Sequence, residues 1–288
     1  MSAPRLSFEF FPPKNLEGSF RLWDTIQTLA PLGPEFVSVT YGAGGTTRQL
    51  THEAVEALQK QTDLRVAAHL TCVDASREET LAIAKGYADM GVTDIVALRG
   101  DAPKGTDKFT PRADGFASSL ELITALKETA PFTLRVGAYP DPHPEATEPG
   151  ADVAWLKRKF EAGADEAITQ FFFEADTFLR FRDDCAKAGI TKPILPGILP
   201  IENWKGTRRF AEACGTKIPA WLEEAFTAAD RDGRSDLLAT AIATELCSEL
   251  MDEGVEQLHF YTLNKPDLTR DICRALGVVP AQPVEKVA

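Results

Sequence analysis

Several things are scarce in this 288-residue chain, and each scarcity removes a class of function. There are five cysteines (Cys72, Cys185, Cys214, Cys247 and Cys273), an odd and widely spaced set with no Cys-x-x-Cys pair. That pattern argues against a disulfide framework or a zinc knuckle and for a reducing compartment. The four histidines, His52, His69, His143 and His259, stand singly with no second His at a metal-binding spacing, so no metal is expected. Positive charge is outnumbered: 31 Lys and Arg against 43 Asp and Glu leave a net charge of −12. A surface of that sign repels nucleic acid, although a local basic cluster can still hold a small anion. No apolar run reaches the length of a membrane span. Glu9 interrupts the first hydrophobic stretch, which argues against a secretory leader. The expectation is a cytoplasmic protein without a membrane or nucleic-acid partner.

What is present suits a globular enzyme. Hydrophobic residues make up 44% and charged residues 26%, and a chain of this length can bury a large core. Short apolar runs alternate with longer amphipathic segments. The runs at 6–11, 35–41, 65–72, 94–99, 133–139, 166–173, 193–199 and 257–263 read as strands. Helical stretches at 46–61, 76–90, 117–129, 151–162 and 175–188 lie between them, several ending in a glycine such as Gly91, Gly163 or Gly189. Eight strands spaced mostly about 30 residues apart predict an α/β fold, a single-domain (β/α)8 TIM barrel over 1–288, ahead of an open doubly wound sheet. The seventh run fits least well, because Pro193, Pro196 and Pro200 are awkward in a central strand. Residues 202–254 must hold two or three helices, and the tail at 281–288 is expected to be flexible.

In such a barrel the active site gathers at the C-terminal ends of the strands. The polar residues there are Glu9, Thr40, His69, Arg99 with Asp101, Tyr139, Gln170, and Tyr261 with Asn264. Closure brings all of them around one mouth, which is the main argument for an enzyme. Glu9 sits in Ser7-Phe8-Glu9-Phe10-Phe11-Pro12-Pro13. A carboxylate among aromatics is expected to resist ionisation and so to serve as a general acid; the alternative is a Glu that simply reaches water. Arg99-Gly100-Asp101 offers both charges on a tight turn, or is an ordinary βα turn. Gln170, before Phe171-Phe172-Phe173, suits a heteroaromatic ring that needs a donor and an acceptor. Lys157-Arg158-Lys159 is either a solvated helix face or a contact for phosphates. Gly42-Ala43-Gly44-Gly45 lacks the spacing of a dinucleotide fingerprint. His69, taken alone, reads as a packed core residue.

Jointly these motifs resemble the methylenetetrahydrofolate reductase family. The segments that carry the likeness are 7–13, 37–43, 68–72, 96–101, 138–146, 167–173, 196–200 and 259–264, in order along the chain. The likeness is to the bacterial short form, without a C-terminal regulatory domain. It implies a (β/α)8 barrel that binds FAD and reduces 5,10-methylenetetrahydrofolate to 5-methyltetrahydrofolate, with NADH or NADPH as donor, in a ping-pong sequence. It also implies a homo-oligomer.

Residue by residue, the resemblance makes Glu9 the general acid for opening the folate ring. Asp101 becomes the carboxylate near flavin and pterin, and Gln170 an amide that serves both substrates. Phe210 is the stacking aromatic, with Tyr261 and Lys265 as further substrate contacts. For FAD it points to Thr40, His69, Arg99, Gly100, Asp101, Ala117, Tyr139, His143, Asp152, Arg158 and Lys159. Three positions depart from the pattern. Trp155 stands where an Asn often contacts FAD, and Gly206 where a Gln commonly reaches a substrate. Lys265 replaces an Arg that meets the folate glutamate, keeping the charge but losing the bidentate fork. Two rival readings are a flavin or folate carrier without turnover and a barrel aldolase or lyase. The latter wants a desolvated Schiff-base Lys, and no expected strand carries a Lys in its interior.

Overall fold

The structure, a computed structural model, describes residues 3–41, 48–101 and 109–280. The glycine-rich loop at 42–45, the first two residues of the helix expected at 46–61 and the tail at 281–288 lie outside the described residues. Nine strands form one sheet: β1 (Arg5–Phe10), β2 (Phe36–Val39), β3 (Val66–Thr71), β4 (Asp94–Leu98), β5 (Thr133–Ala138), β6 (Glu166–Thr169), β7 (Ile194–Leu195), β8 (Gly197–Ile198) and β9 (Gln257–Tyr261). All pairs are parallel, in the order β7-β6-β5-β4-β3-β2-β1-β9-β8. β7 and β8 stand at opposite ends of that order, yet only Pro196 separates them in sequence. The sheet therefore closes, and the expected (β/α)8 barrel is present with its seventh stave in two halves.

Proline explains the split. Pro196 has no N–H to contribute to a ladder. The residues before it pair with β6 (Ala167↔Ile194, Ile168↔Leu195) and those after it with β9 (Gly197↔His259, Ile198↔Phe260). The strand expected at 193–199 is thus two short ones. Gly197 is dictated by crowding, since a Cβ there would stand 2.2 Å from Thr169 O and 2.6 Å from the Tyr261 ring.

The helices are α1 (Leu16–Leu29), α2 (Arg48–Gln61), α3 (Arg77–Asp89), α4 (Ser119–Thr129), α5 (Ala151–Glu161), α6 (Ala175–Lys187), α7 (Trp204–Cys214), α8 (Ala220–Arg231), α9 (Ser235–Asp252) and α10 (Pro266–Ala275). The long segment at 202–254 holds three of them. α3 starts on a capping box: Ser76 Oγ accepts the Glu79 N–H at 3.1 Å, and Glu79 Oε2 accepts the Ser76 N–H at 2.7 Å. Among the described residues no helix is long and apolar enough to cross a membrane.

Strand period decides what the active end can use. Along β1, Leu6, Phe8 and Phe10 pack into the layer between strands and helices with Leu22 and Ile26 of α1, while Ser7 and Glu9 face the barrel interior. Phe36, Ala67, Val96, Ile168 and Leu195 fill that interior as a separate apolar layer. Arg135 of β5 stacks its guanidinium 3.6 Å over Phe36 and pairs with buried Asp94 and, at 2.7 Å, with Glu166. The charges at that level are compensated, as burial requires.

Candidate active site

Glu9 is the centre of a small polar cluster. Its Oε2 lies 3.3 Å from His69 Nε2 of β3 and 3.8 Å from His259 Nε2 of β9. Neither contact is a well-aligned hydrogen bond, and both imidazole nitrogens are buried. His259 is held from behind, with Ser7 Oγ 2.9 Å from its Nδ1 and the Phe36 ring stacked on it at 5.7 Å. The Ser7 hydroxyl also lies 3.4 Å from Leu258 O and has a single proton, so the tautomer of His259 follows from which of the two acceptors that proton serves.

The electrostatics overturn one expectation. Burial favours the neutral carboxyl, but His259 and His69 outweigh it and hold Glu9 at about 2. Burial pulls His259 below its ordinary value, against the attraction of Glu9. Glu9 is therefore ionised in the free barrel rather than kept neutral by aromatics. The reason is geometric: Phe8 and Phe10 are neighbours in sequence but point to the opposite face of the strand.

Two cavities meet at the barrel mouth. One, of about 710 Å³, is lined by Glu9, Thr40, His69, Gln170, Phe171, Phe210, Tyr261 and Asn264 among others. The other, of about 410 Å³, includes Arg99, Gly100, Asp101, His143, Glu145, Asp152, Trp155 and Lys159. They share Tyr41, Leu98, Asp101, Gly137 and Tyr139, so they form a continuous groove with two chambers.

Each wall of the groove is fixed by identifiable contacts. Gly100 turns the chain at φ 87°, where a Cβ would stand 2.5 Å from the Val73 side chain. Arg99 grips Glu145 through two hydrogen bonds of 2.5 and 3.0 Å. The His143 N–H donates to Asp152 at 3.2 Å, and its ring meets Tyr139 edge-on at 4.6 Å. Lys159 is buried, its Nζ donating to Gly137 O at 2.6 Å, and burial brings its pKa down to about 8. In the larger chamber Gln170 Oε1 accepts the Phe171 N–H at 3.0 Å. Phe210, 44% exposed, stacks on Phe171 with centroids 5.2 Å apart. The Tyr261 hydroxyl donates to Thr169 O at 2.6 Å, and Asn264 clamps the Phe11 backbone with two bonds of 2.9 Å.

Most residues singled out from sequence converge on this groove, and four do not line it. Ala117 precedes α4, with its N–H on Glu121 at 3.3 Å. Arg158 lays its guanidinium over the Trp155 ring at 4.7 Å. Lys265 is the exposed N-cap of α10, next to the clamp residue Asn264. Gly206 lies in the first turn of α7, its N–H bound by Asn203 at 2.8 Å. The sequence reading missed Ser7, His259 and Glu145. The register of β1 against β9 pairs Ser7 with His259 and Glu9 with Tyr261. Alternation from Tyr261 would have put His259 on the inner face. Among the described residues no group of three or more His, Cys, Asp or Glu is placed to hold a metal ion.

Such a groove joins an ionised carboxylate between two imidazoles to a chamber with cations for an anionic ligand. Residues 2–277 match the family described as Methylenetetrahydrofolate reductase. The chain is 46% identical over 276 residues to the 5,10-methylenetetrahydrofolate reductase of Escherichia coli (strain K12), covering 96% of this chain and 91% of that one. Identity and coverage are the same against the enzyme of that name from Salmonella typhimurium (strain LT2). Among solved structures, an uncharacterized protein from Clostridium thermocellum that binds two copies of 5-methyl-5,6,7,8-tetrahydrofolic acid is similar in fold. It has a TM-score of 0.62 and 15% identity over 96% of each chain.

Proposed function

The chain belongs to the methylenetetrahydrofolate reductase family and has its reductase function; we propose that it works through bound FAD, with NADH or NADPH as electron source. The observation that carries this reading is the two-chambered groove, whose shared wall of Leu98, Asp101 and Tyr139 would set a flavin ring beside Glu9, Gln170 and Phe210. FAD, when bound, supplies the hydride relay between nicotinamide and folate.

The donor set fits an anionic dinucleotide. Lys159 is buried against the groove and uses one of its three N–H donors on Gly137 O, leaving capacity for a ligand. Arg99 and Gly100 line the same chamber, while Thr40 and His69 line its neighbour. Asp152 and His143 are tied to each other and suit hydroxyl groups of the cofactor.

Glu9 handles the proton. Opening the folate five-membered ring breaks a C–N bond, and the departing nitrogen takes a proton while the carbon fragment is left as an iminium ready for hydride. Glu9 starts ionised, so it must be charged with that proton as folate docks and removes the remaining water from the carboxylate. That proton comes from solvent as folate docks, and His69 and His259, facing the carboxylate, hold Glu9 in position to receive it and pass it to the nitrogen. Gln170 and Phe210 suit a heteroaromatic ring by amide contact and stacking, and Lys265 suits the glutamate tail. One chamber then serves nicotinamide and folate in turn, a ping-pong sequence.

The test is anaerobic. NADH or NADPH, added separately, should reduce the bound flavin, and methylenetetrahydrofolate should then reoxidise it. A colourless protein that cannot be reconstituted with FAD would overturn it.

A further inference from the structure

The two ends of the smaller chamber differ in what they offer a flat ring. The inner end is the wall shared with the Glu9 chamber. Ala146, Thr147 and the first turns of α5, including Asp152 and Trp155, line the part of the chamber that is not shared. Asp152, Trp155 and Lys159 lie three and four residues apart, so they share one face of α5. All three line the chamber.

Trp155 is unusual there. Its side chain is large and apolar, yet 36% of it is exposed, at the rim of a cavity rather than on an open surface. The indole is also braced, with the Arg158 guanidinium 4.7 Å from the ring centre. A cation held against an aromatic face fixes the ring plane at little cost to its accessible area. Ala151, one turn before it on the same helix, and Ala146 line the same chamber with small side chains, which suits a planar guest.

We propose that Trp155 is the stacking platform for the adenine ring of FAD, braced by Arg158, and that it makes the dinucleotide rather than the mononucleotide the retained flavin. The inference rests on the FAD reading above. The direction follows from chemistry, because the ring that exchanges hydride must reach the Glu9 chamber. The opposite end of the dinucleotide then runs past Arg99 and Lys159 toward α5. Asp152, one turn before the indole, suits the ribose hydroxyls next to the adenine.

The experiment titrates the apoprotein with FAD and, separately, with FMN, following tryptophan and flavin fluorescence. Trp155→Ala is expected to weaken FAD about tenfold or more, the scale of base–aromatic stacking, and to leave FMN affinity unchanged. Trp155→Phe should restore most of the loss. FMN binding doubles as the folding control, since it needs the inner end of the chamber intact. Equal loss for both flavins, or no loss for FAD, overturns the platform. Wild-type protein that binds neither flavin overturns the FAD reading itself, an outcome distinct from either.

Discussion

Replacing Glu9 by Gln separates proton chemistry from hydride chemistry. Gln keeps the side-chain shape and an acceptor oxygen but removes both the charge and the transferable proton. In the free barrel the carboxylate stands 3.3 and 3.8 Å from two imidazole nitrogens and is held at about 2, below the ordinary 4.5. A folded value below the unfolded one stabilises the protein above pH 4.5, and that stabilisation is lost as pH falls toward 2. The variant should therefore lose less stability than wild type across that window. In catalysis, loss of a positioned general acid costs roughly 10²–10⁴ in rate, or about 3–5 kcal/mol in barrier. In the proposed mechanism only folate ring opening needs that acid. Stopped-flow absorbance of each anaerobic half-reaction reads the two effects apart. Flavin reduction by the nicotinamide should stay near the wild-type rate, while reoxidation by methylenetetrahydrofolate falls within that range. Reoxidation slowed only a few-fold would show that the proton comes from another group. Collapse of both half-reactions would show that Glu9 positions the flavin or the mouth.

Lys265→Ala should raise the apparent KM for folate and leave flavin reduction nearly unchanged, since an exposed ionic contact contributes roughly 0.2–1 kcal/mol; equal loss in both half-reactions would mean a structural role. Lys159, brought down to about 8 by burial, binds an anionic cofactor best when protonated. FAD affinity measured by fluorescence should therefore fall as pH rises past 8, and Lys159→Met should flatten the profile; an unchanged slope in the variant assigns the titration elsewhere. Gly197→Ala drives a methyl into Thr169 O and the packed Tyr261 ring. Urea unfolding should show a loss of roughly 1–3 kcal/mol, and a neutral result would mean that the seam yields freely.

The barrel is legible in sequence where strands are buried on both faces, because β3, β4 and β5 are short apolar runs bounded by helical segments. Legibility fails where an apolar run has two causes. The run at 166–173 reads as one strand, but β6 ends at Thr169, and Phe171 and Phe173 instead pack with Trp204, Leu222 and Phe226 in a core under α7–α9. At the site, single residues at strand ends are readable because topology alone brings them together. The state of Glu9 is not, because it depends on two histidines far away in sequence that the β1–β9 and β1–β2–β3 pairings deliver. The aromatic neighbours Phe8 and Phe10 say nothing of them. Arg158 shows the same limit, since a helical cation run does not reveal which members turn toward a neighbouring aromatic.

The proline-split stave distributes stiffness unevenly around the ring. β3 meets β4 through five registered residue pairs and β4 meets β5 through four, whereas the joints on either side of Pro196 have two each. Few ladder bonds make for low local opening free energy. The firm arc carries Arg99, Gly100 and Tyr139, which a resident cofactor would need held in place throughout turnover. Gln170 and Phe171 after β6 and Tyr261 at the end of β9 flank the two short joints, the side on which two differently shaped visitors would have to be admitted and released. The proline at the seam thus concentrates whatever give the ring has into β7 and β8, between the two strands that carry Gln170 and Tyr261.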